Sequence, residues 1–331
     1  MTLQEIVNDL RNSEFVREKN LGNGISSFNF SRKAFWKKRW TSMTTKARGL
    51  FIDIDNMRVK ARAYDKFFHV GERRETGLQH IQEEWTYPID FYVKENGYLG
   101  ICSWNEDGTL FCASKSTTEG WYAERFRELL EQTLGDKIEL FSKFLKMENL
   151  SAVFEVIDPK EDAHIIEYDK PHVVLLDLIY NDWGDFGDLK FVNKNYGMLT
   201  IWGKNFNLKI KEHAYRAWNA KQLEAFYHKV TAPGYQYKGR YIEGFVLEDL
   251  DLRHAKLKTD YYNYWKQLRN VIPAVRKGET IDLSRVDLNI HPETPQIMRI
   301  IREYAAYYYS THQEDVSIIE IRKLWQYDIR N

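Results

Sequence analysis

The chain has 331 residues, enough for one large domain with an appendage or for two domains. Hydrophobic residues make up 43% and charged residues 29%, while 48 basic side chains balance 48 acidic ones, so a folded core is expected and a strongly basic nucleic-acid-binding protein is excluded. No apolar run reaches the ~18 residues of a membrane span and no signal peptide is evident, so we expect a soluble, cytoplasmic protein without membrane contact.

The first half of the chain alternates between helical and strand-like patterns. Residues 3 to about 19 have helical periodicity, and residues 49–70 are rich in β-branched and aromatic residues. Residues 90–114 predict a hairpin, because Asp107-Gly108 separates two apolar runs. Residues 119–147 predict one helix.

The second half predicts more strands and then a helical end. Strands are expected at 151–158, 172–180, 241–250 and 254–258, with a helix over 213–230. From Tyr261 onward the pattern is helical almost throughout. We therefore predict a mixed α+β body over residues 1–262 and a small all-α domain over residues 263–331.

One stretch of the sequence is strongly basic although the chain as a whole is neutral. It holds seven basic residues and no acid: Arg32, Lys33, Lys37, Lys38, Arg39, Lys46 and Arg48. Such a stretch can follow a nucleic-acid backbone, or it can be an ordinary solvated face. The sequence leaves both interpretations open.

A lysine followed three residues later by a glycine occurs at 46–49, 94–97 and 194–197. Repetition makes this pattern uninformative alone, but only Lys94 ends a predicted strand and precedes a predicted hairpin. Further motifs with charged residues follow Lys94 in a set order. They are Phe154-Glu155, Glu243-Gly244-Phe245-Val246 and Lys256-Leu257-Lys258.

The order and spacing of these motifs resemble the covalent nucleotidyltransferase superfamily of DNA ligases, RNA ligases and mRNA capping enzymes. The upstream segments 46–51 and 61–68, together with Lys94-Glu95-Asn96-Gly97, resemble the phage RNA ligase 1 and fungal tRNA ligase type. The resemblance covers about residues 40–262. It implies an ATP-grasp-like ligase body of antiparallel sheets flanked by helices, with Lys94 as the nucleophile.

The residues themselves indicate how Lys94 could be activated. Attack on a phosphate needs a neutral amine, whereas a free lysine has a pKa near ~10.4. Lys256 and Lys258 alternate on a predicted strand, so both side chains share one face. We expect them to clamp the α-phosphate and to lower the pKa of Lys94. An edge strand carrying solvated lysines is the alternative.

Two acidic residues complete this predicted site. By resemblance, Glu243 orients Lys94 and binds a divalent metal, Mg²⁺ with Mn²⁺ as a substitute, which needs only one or two carboxylates. Glu155 lies in an apolar run, where an unpaired carboxylate is costly, and by resemblance it contacts the ribose. A carboxylate facing water is the alternative for Glu155.

The resemblance also implies a set of nucleotide-binding residues. Arg48 and Lys66 match positions that hold the β- and γ-phosphates of ATP, where cations stabilise a departing pyrophosphate. Lys115 is a further phosphate-binding candidate, although it lies in a Ser/Thr-rich loop. The remaining candidates are Glu95, Asn96, Gly97, Gly244 and Tyr262.

We therefore expect an ATP-dependent RNA ligase that joins 5′-phosphate and 3′-hydroxyl ends through lysyl-AMP and an RNA-adenylate, in RNA repair or tRNA splicing. A capping or DNA ligase is disfavoured because the residues after Lys258 predict helices rather than an OB-fold. A non-catalytic RNA-binding relative is disfavoured because Lys94 and Glu243 are both present.

The expected partner is RNA, with tRNA as one possibility, and we expect a monomer. No G-x-x-x-x-G-K-[ST] phosphate-binding loop occurs in the sequence, so separate kinase, phosphatase or phosphodiesterase enzymes are expected to heal the ends. The sequence leaves open the choice between ATP and GTP and any demand for a 2′-phosphate.

Overall fold

The structure, a computed structural model, describes residues 2–160, 164–183, 190–191, 196–284 and 286–329. The helices are α1 (Leu3–Asn12), α2 (Arg32–Trp36), α3 (Ser42–Lys46), α4 (Leu78–Glu84), α5 (Trp121–Leu134), α6 (Ile138–Met147), α7 (Tyr196–Asn205), α8 (Ala220–Thr231), α9 (Asp260–Arg276), α10 (Thr294–His312) and α11 (Ile318–Asp328). Lys194, of the third Lys-x-x-Gly pattern, lies outside the described residues.

The strands form three sheets. They are β1 (Val16–Asn20), β2 (Ile25–Phe30), β3 (Leu50–Asp53), β4 (Arg58–Arg62), β5 (Phe68–His69), β6 (Ile89–Lys94), β7 (Tyr98–Trp104), β8 (Leu110–Ala113), β9 (Leu150–Ile157), β10 (His172–Tyr180), β11 (Lys209–Ile210), β12 (His213–Ala217), β13 (Gly244–Glu248) and β14 (His254–Lys258). One sheet has the order β1-β2-β3-β4, a second β11-β10-β9-β7-β8, and a third β12-β6-β13-β14-β5. This mixed α+β architecture confirms the predicted fold class.

The predicted hairpin over residues 90–114 is confirmed only in its second part. Strands β7 and β8 pair with Ile101 opposite Ala113, and Gly108 takes the left-handed conformation (φ 87°) that the turn requires. Strand β6, however, belongs to the third sheet, so the chain changes sheets between Lys94 and Tyr98. Gly97 permits this change, because a Cβ there would lie 2.0 Å from the Val156 carbonyl oxygen.

Three predicted helices are wrong in extent. The first ends at Asn12, because Ser13 adopts an extended backbone (ψ 118°) and β1 follows. The helix predicted over residues 119–147 is divided into α5 and α6 at Gly135, which has a φ of 56°. The helix predicted over residues 213–230 begins as β12, which pairs with β6.

Helices α9, α10 and α11 pack around an apolar core that includes Trp265, Leu268 and Ile301. Ile165, from the segment between β9 and β10, belongs to the same core. Arg322 of α11, 2% exposed, donates hydrogen bonds to the Ile165 carbonyl at 3.0 Å and to Glu167 at 2.8 Å. The helical end therefore packs against a segment of the body.

The predicted division between residues 262 and 263 falls within the first turn of α9, which begins at Asp260 with Thr259 as its cap. The division remains a prediction.

Among the helices that the structure describes, none is both long enough and apolar enough to cross a membrane. Cys102 and Cys112 are buried free thiols.

Candidate active site

A cavity of about 220 Å³ is lined by residues from both five-stranded sheets. Residues predicted from the sequence form much of its wall. They are Arg48, Lys94, Glu95, Gly97, Glu155 and Lys256. Apolar side chains that include Leu99, Leu176 and Val246 line the same cavity. The cavity thus combines charged groups with an apolar surface, as small-molecule sites commonly do.

Strand register places Lys94 beside its predicted partners. Gly244 of the central strand β13 lies opposite Lys94 on one side and opposite Lys258 on the other. Directly opposed residues of antiparallel strands share a face, so the two lysine side chains lie on the same face of the sheet. A Cβ at Gly244 (φ 148°) would lie 2.0 Å from the Leu257 carbonyl oxygen. This register therefore requires glycine at position 244.

Glu243 lies between these two lysines. Its Oε1 is 3.1 Å from the Lys94 Nζ and 3.1 Å from the Lys258 Nζ. Its Oε2 accepts a hydrogen bond from the Asn96 Nδ2 at 2.7 Å. The Glu243 side chain is only 4% exposed, so these contacts compensate for the desolvation of its charge. We call Lys94 and Lys258 the paired lysines.

The predicted lowering of the Lys94 pKa is wrong. Burial lowers it, but the charges of Glu243 and Glu155 outweigh burial, and the pKa of Lys94 lies above its ordinary value. Burial raises the pKa of Glu243, but the paired lysines outweigh it and lower that pKa. The sequence placed Lys256 and Lys258 on one face but did not show that the Glu243 carboxylate contacts both Lys94 and Lys258.

The pKa of Lys258 is shifted in the opposite direction from that of Lys94, although both side chains contact the same Glu243 oxygen. Burial lowers the pKa of Lys258 to about 8; Glu243 opposes this, whereas Lys266 and Lys94 reinforce it. The Lys258 Nζ also lies 4.2 Å from the centre of the Tyr262 ring. Tyr262, in the first turn of α9, is thus brought to Lys258, and burial raises its own pKa to about 12.

Glu155 is held beside Lys94 by the backbone of Gly97. Its Oε1 accepts a hydrogen bond from the Gly97 N–H at 2.9 Å. Burial raises the pKa of Glu155, and the charge of Lys94 opposes that increase. Gly97 therefore both allows the close approach of β9 and fixes the Glu155 carboxylate on the cavity wall.

Glu95 and Asn96 make protein contacts of their own. Glu95 accepts hydrogen bonds from the Tyr168 hydroxyl at 2.9 Å and from the Lys209 Nζ at 3.1 Å. The Asn96 side chain bonds Glu243 and also accepts hydrogen bonds from the backbone N–H groups of residues 165 and 166, each at 3.1 Å. Asn96 thus acts as a brace that positions Glu243 against the segment 164–168.

A second group of cations lies around Arg48 and Lys256 of the cavity wall. We call Arg48, Lys66, Lys115 and Lys256 the cation cluster. Within the described residues none of the four forms an ion pair, and each contacts a ring or a carbonyl instead. Arg48 donates to the Tyr64 carbonyl at 3.2 Å, Lys66 lies over Phe68 at 4.2 Å, Lys115 over Phe30 at 4.4 Å and Lys256 over Phe67 at 4.4 Å.

The electrostatics of the cation cluster indicate an anion site. Burial lowers the pKa of Lys256 well below its ordinary value, and the charges of Arg48, Lys94 and Lys66 lower it further. Burial also lowers the pKa of Lys115, with Arg48 and Lys66 adding to the effect. Burying like charges together is unfavourable unless an anion binds them. The cluster therefore fits a polyphosphate.

Sequence reasoning missed a buried ionic network on the cavity wall. The Lys211 Nζ contacts Asp177 at 2.8 Å and Glu248 at 3.0 Å. Glu248 also contacts the His254 ring at 3.1 Å, and the Tyr64 hydroxyl donates to Asp177 at 2.9 Å. Asp177, within the apolar run 172–180, was the signal available in the sequence. Its partner Lys211 directly follows β11, and the sequence did not predict that β11 pairs in parallel with β10.

The predicted metal site has few protein ligands. Among the described residues, no group of three His, Cys, Asp or Glu side chains is placed to hold a metal. Both Glu243 oxygens already accept N–H donors. The donor set fits a hard cation that takes most of its ligands from phosphate and water, and Glu243 as its ligand remains a prediction.

Two fungal proteins are similar in sequence. A tRNA ligase of Candida albicans is 25% identical over 78% of this chain and 34% of its own length. The tRNA ligase 1 of Schizosaccharomyces pombe is 29% identical over 38% of this chain and 18% of its own length. The chain thus spans about a third or less of these relatives.

Solved structures show the same fold at low sequence identity. An archaeal ATP-dependent RNA ligase superposes with a TM-score of 0.56 and 15% identity, covering 97% of this chain and 76% of that one. A protein of Aquifex aeolicus described as an ATP-dependent DNA ligase gives a TM-score of 0.53 and 17% identity, covering 94% and 74%.

A family model described as RNA ligase matches residues 46–264, which contain every residue of the candidate site. The resemblance to the phage RNA ligase 1 and fungal tRNA ligase type is thereby confirmed, and the chain belongs to the RNA ligase family.

Proposed function

We propose that the protein is an ATP-dependent RNA ligase with Lys94 as its nucleophile. One observation carries the proposal: Lys94 and Glu155 line the same cavity as Arg48 and Lys256, and Glu243 contacts Lys94 at 3.1 Å. An RNA-binding relative without activity has no need for a buried lysine and carboxylate held in this contact. The geometry instead supports a covalent reaction at the Lys94 Nζ.

Three steps account for the joining of two ends. Lys94 first loses a proton to water; its neutral Nζ then bonds to the α-phosphorus of ATP as the bond to the bridging oxygen breaks, pyrophosphate leaves and the nitrogen gives up a second proton. An oxygen of an RNA 5′-phosphate then attacks the same phosphorus, the phosphorus–nitrogen bond breaks, and the lysine leaves as an amine after taking up a proton. Finally, a 3′-hydroxyl attacks the 5′ phosphorus and loses its proton to water, and AMP leaves with the bonding electrons.

The chain has to overcome the raised pKa of Lys94 in the first step. Glu243 keeps the amine oriented, but its charge favours the protonated form. Glu243 would help to hold a Mg²⁺ ion, whose positive charge would weaken that preference. Lys256, whose own pKa is lowered, lies on the same wall and donates to phosphate without competing for Glu243.

The cation cluster is suited to the phosphates of ATP. Pyrophosphate gains negative charge as it leaves, so cations already in place stabilise the transition state more than the ground state. Arg48 and Lys256 line the cavity directly, whereas Lys66 and Lys115 lie close enough to Arg48 for its charge to lower their pKa values. In this proposal the apolar wall at Leu99, Leu176 and Val246 receives the base.

RNA broken or cleaved to 5′-phosphate and 3′-hydroxyl ends is the proposed substrate, and tRNA halves are one source of such ends. The names of the fungal relatives support this choice. Healing of ends that lack these groups is proposed to be the task of separate enzymes.

The test is incubation of the purified protein with α-phosphate-labelled ATP and Mg²⁺, followed by a denaturing gel. We expect a labelled band from the wild-type protein and none from Lys94→Ala, because that variant lacks the attacking nitrogen. Labelled GTP in a parallel lane determines the nucleotide preference. Label on a folded Lys94→Ala variant, checked by circular dichroism, would contradict the assignment.

A further inference from the structure

Residues 31–40 follow β2 and precede α3; we call them the basic aromatic segment. The Phe30 N–H, at the end of β2, donates a backbone hydrogen bond of 2.6 Å to the carbonyl of Ala47, which follows α3. Ser31 caps α2 by accepting from the Ala34 N–H at 3.2 Å, and both residues are buried. The segment is thus anchored at Ser31 and Ala34 while most of its other side chains are exposed.

Two large rings of this segment lie in solvent. Phe35 is 55% exposed and Trp36 is 77% exposed. Adjacent exposed rings on one short helix leave a large apolar area in contact with water, which is unfavourable unless a partner covers it.

The charges beside these rings are positive. Arg32, Lys37, Lys38 and Arg39 are exposed, and within the described parts of the chain they form no ion pair. Lys33 alone is neutralised, by Glu14. A partner that covers Trp36 must therefore also carry negative charge.

The basic aromatic segment is continuous with the candidate active site. The Phe35 ring lies 6.4 Å from the Trp40 ring, and Trp40 lies 5.2 Å from the Lys66 Nζ. Trp40 also packs at 5.0 Å on Phe30, the ring that the Lys115 Nζ faces. Two members of the cation cluster therefore border the segment.

We infer that the basic aromatic segment binds single-stranded RNA next to the end that enters the cavity, an inference that rests on the proposed function for its RNA substrate. Bases stack on Trp36 and Phe35, and the cations of the segment contact the phosphates. Rings interleaved with cations are what an unpaired strand requires. A five-residue helix is too short to serve as an amphipathic membrane anchor.

Trp36→Ala tests the stacking. Fluorescence anisotropy with a labelled, 5′-phosphorylated dodecanucleotide RNA should give a Kd about tenfold higher than that of the wild-type protein. Trp218→Ala is the matched control, because Trp218 is 61% exposed and follows β12, at the opposite edge of the third sheet from β5 and Phe68. Joining of a dodecanucleotide should slow in the Trp36 variant, whereas joining of a dinucleotide donor should not.

A charge variant tests the same surface independently. Lys37→Ala combined with Arg39→Ala should reduce the magnitude of the slope of log K against log salt by about 1.4, because each of the two lost phosphate contacts contributes roughly 0.7. Lys221→Ala combined with Lys229→Ala removes two exposed lysines of α8 and should leave the slope unchanged.

Equal Kd values for Trp36→Ala, Trp218→Ala and the wild-type protein would overturn the inference. A Trp36→Ala protein that keeps its RNA binding but loses binding to acidic phospholipid vesicles would also overturn the inference, because that result would assign the surface to membranes. The proposed function fails separately, if wild-type protein takes no label from nucleotide while its RNA binding still depends on Trp36.

Discussion

The paired lysines and the cation cluster solve the problem of buried charge in opposite ways. Lys94 and Lys258 share the Glu243 carboxylate, with both contacts at 3.1 Å. The cation cluster has rings and carbonyls as neighbours, and burial and mutual repulsion lower the pKa of Lys256 and of Lys115. Within the described residues the first group is neutralised by a carboxylate of the chain itself, whereas the second forms no ion pair. In the proposed function the phosphates of ATP supply its counter-charge, so comparing the two groups separates what stabilises the fold from what is proposed to bind substrate.

The largest effect on stability is expected at the paired lysines. Glu243→Gln leaves two buried ammonium groups without their carboxylate, which should lower the free energy of unfolding by about 3–5 kcal/mol at neutral pH. Because the pKa of Glu243 is lowered in the folded protein, the difference from wild type should shrink as pH falls through that lowered pKa. Urea unfolding across acidic and neutral pH measures both quantities.

Glu139→Gln is the control for that variant. Its carboxylate forms an exposed contact with Lys143 at 3.7 Å, where solvent screens the interaction, so only a small change is expected. Equal destabilisation by the two substitutions would mean that Glu243 does not compensate buried charge.

Removing a member of the cation cluster should not lower the free energy of unfolding. Lys256→Met removes a repelled, buried cation, so the free energy of unfolding should stay constant or rise by about 1 kcal/mol. The apparent KM for ATP in the labelling reaction should rise about tenfold or more, because a charge-assisted contact to phosphate is lost. Chemical unfolding and initial labelling rates are the measurements.

Lys46→Met provides the contrast, since Lys46 is a buried lysine that contacts Asp65 at 3.3 Å. That substitution should destabilise the protein. The comparison breaks down if Lys256→Met is destabilising to the same degree and leaves the KM for ATP unchanged.

The smallest effect concerns the pH dependence of Lys258. Its folded-state pKa of about 8 lies below that of an unfolded lysine, ~10.4, so the unfolded state binds more protons between these values. Stability should therefore rise from pH 8 towards pH 10 in the wild-type protein and rise less in Lys258→Arg, which stays charged. Identical curves for the two proteins would refute the lowered pKa.

The sequence predicted the strands and residues of the site better than the contacts between them. A strand ending at Lys94, the strand over 254–258 and the shared face of Lys256 and Lys258 all follow from alternation and turn signals, which are local. The position of Glu243 between the paired lysines depends on β13 being the central strand of its sheet, a long-range pairing. Long-range pairing also brought Lys211 to Asp177, and no local pattern encodes it.

The same limit explains the error over residues 90–114. The predicted hairpin treats residues 90–104 as one strand before the Asp107-Gly108 turn, but β6 and β7 within that run enter different sheets. The change of sheet depends on the close approach of Val156 to Gly97. Val156 belongs to β9, about sixty residues later in the chain.

The bond between Asn96 and Glu243 joins residues 147 positions apart in the chain. During synthesis, a ribosome therefore releases Lys94 long before Glu243, which immediately precedes β13. Until β13 and β14 have emerged, Lys94 lacks both Glu243 and the wall formed by Lys256. The nascent chain consequently cannot assemble this cavity before β14 has emerged, so in the proposed function the capture of nucleotide has to wait for that strand.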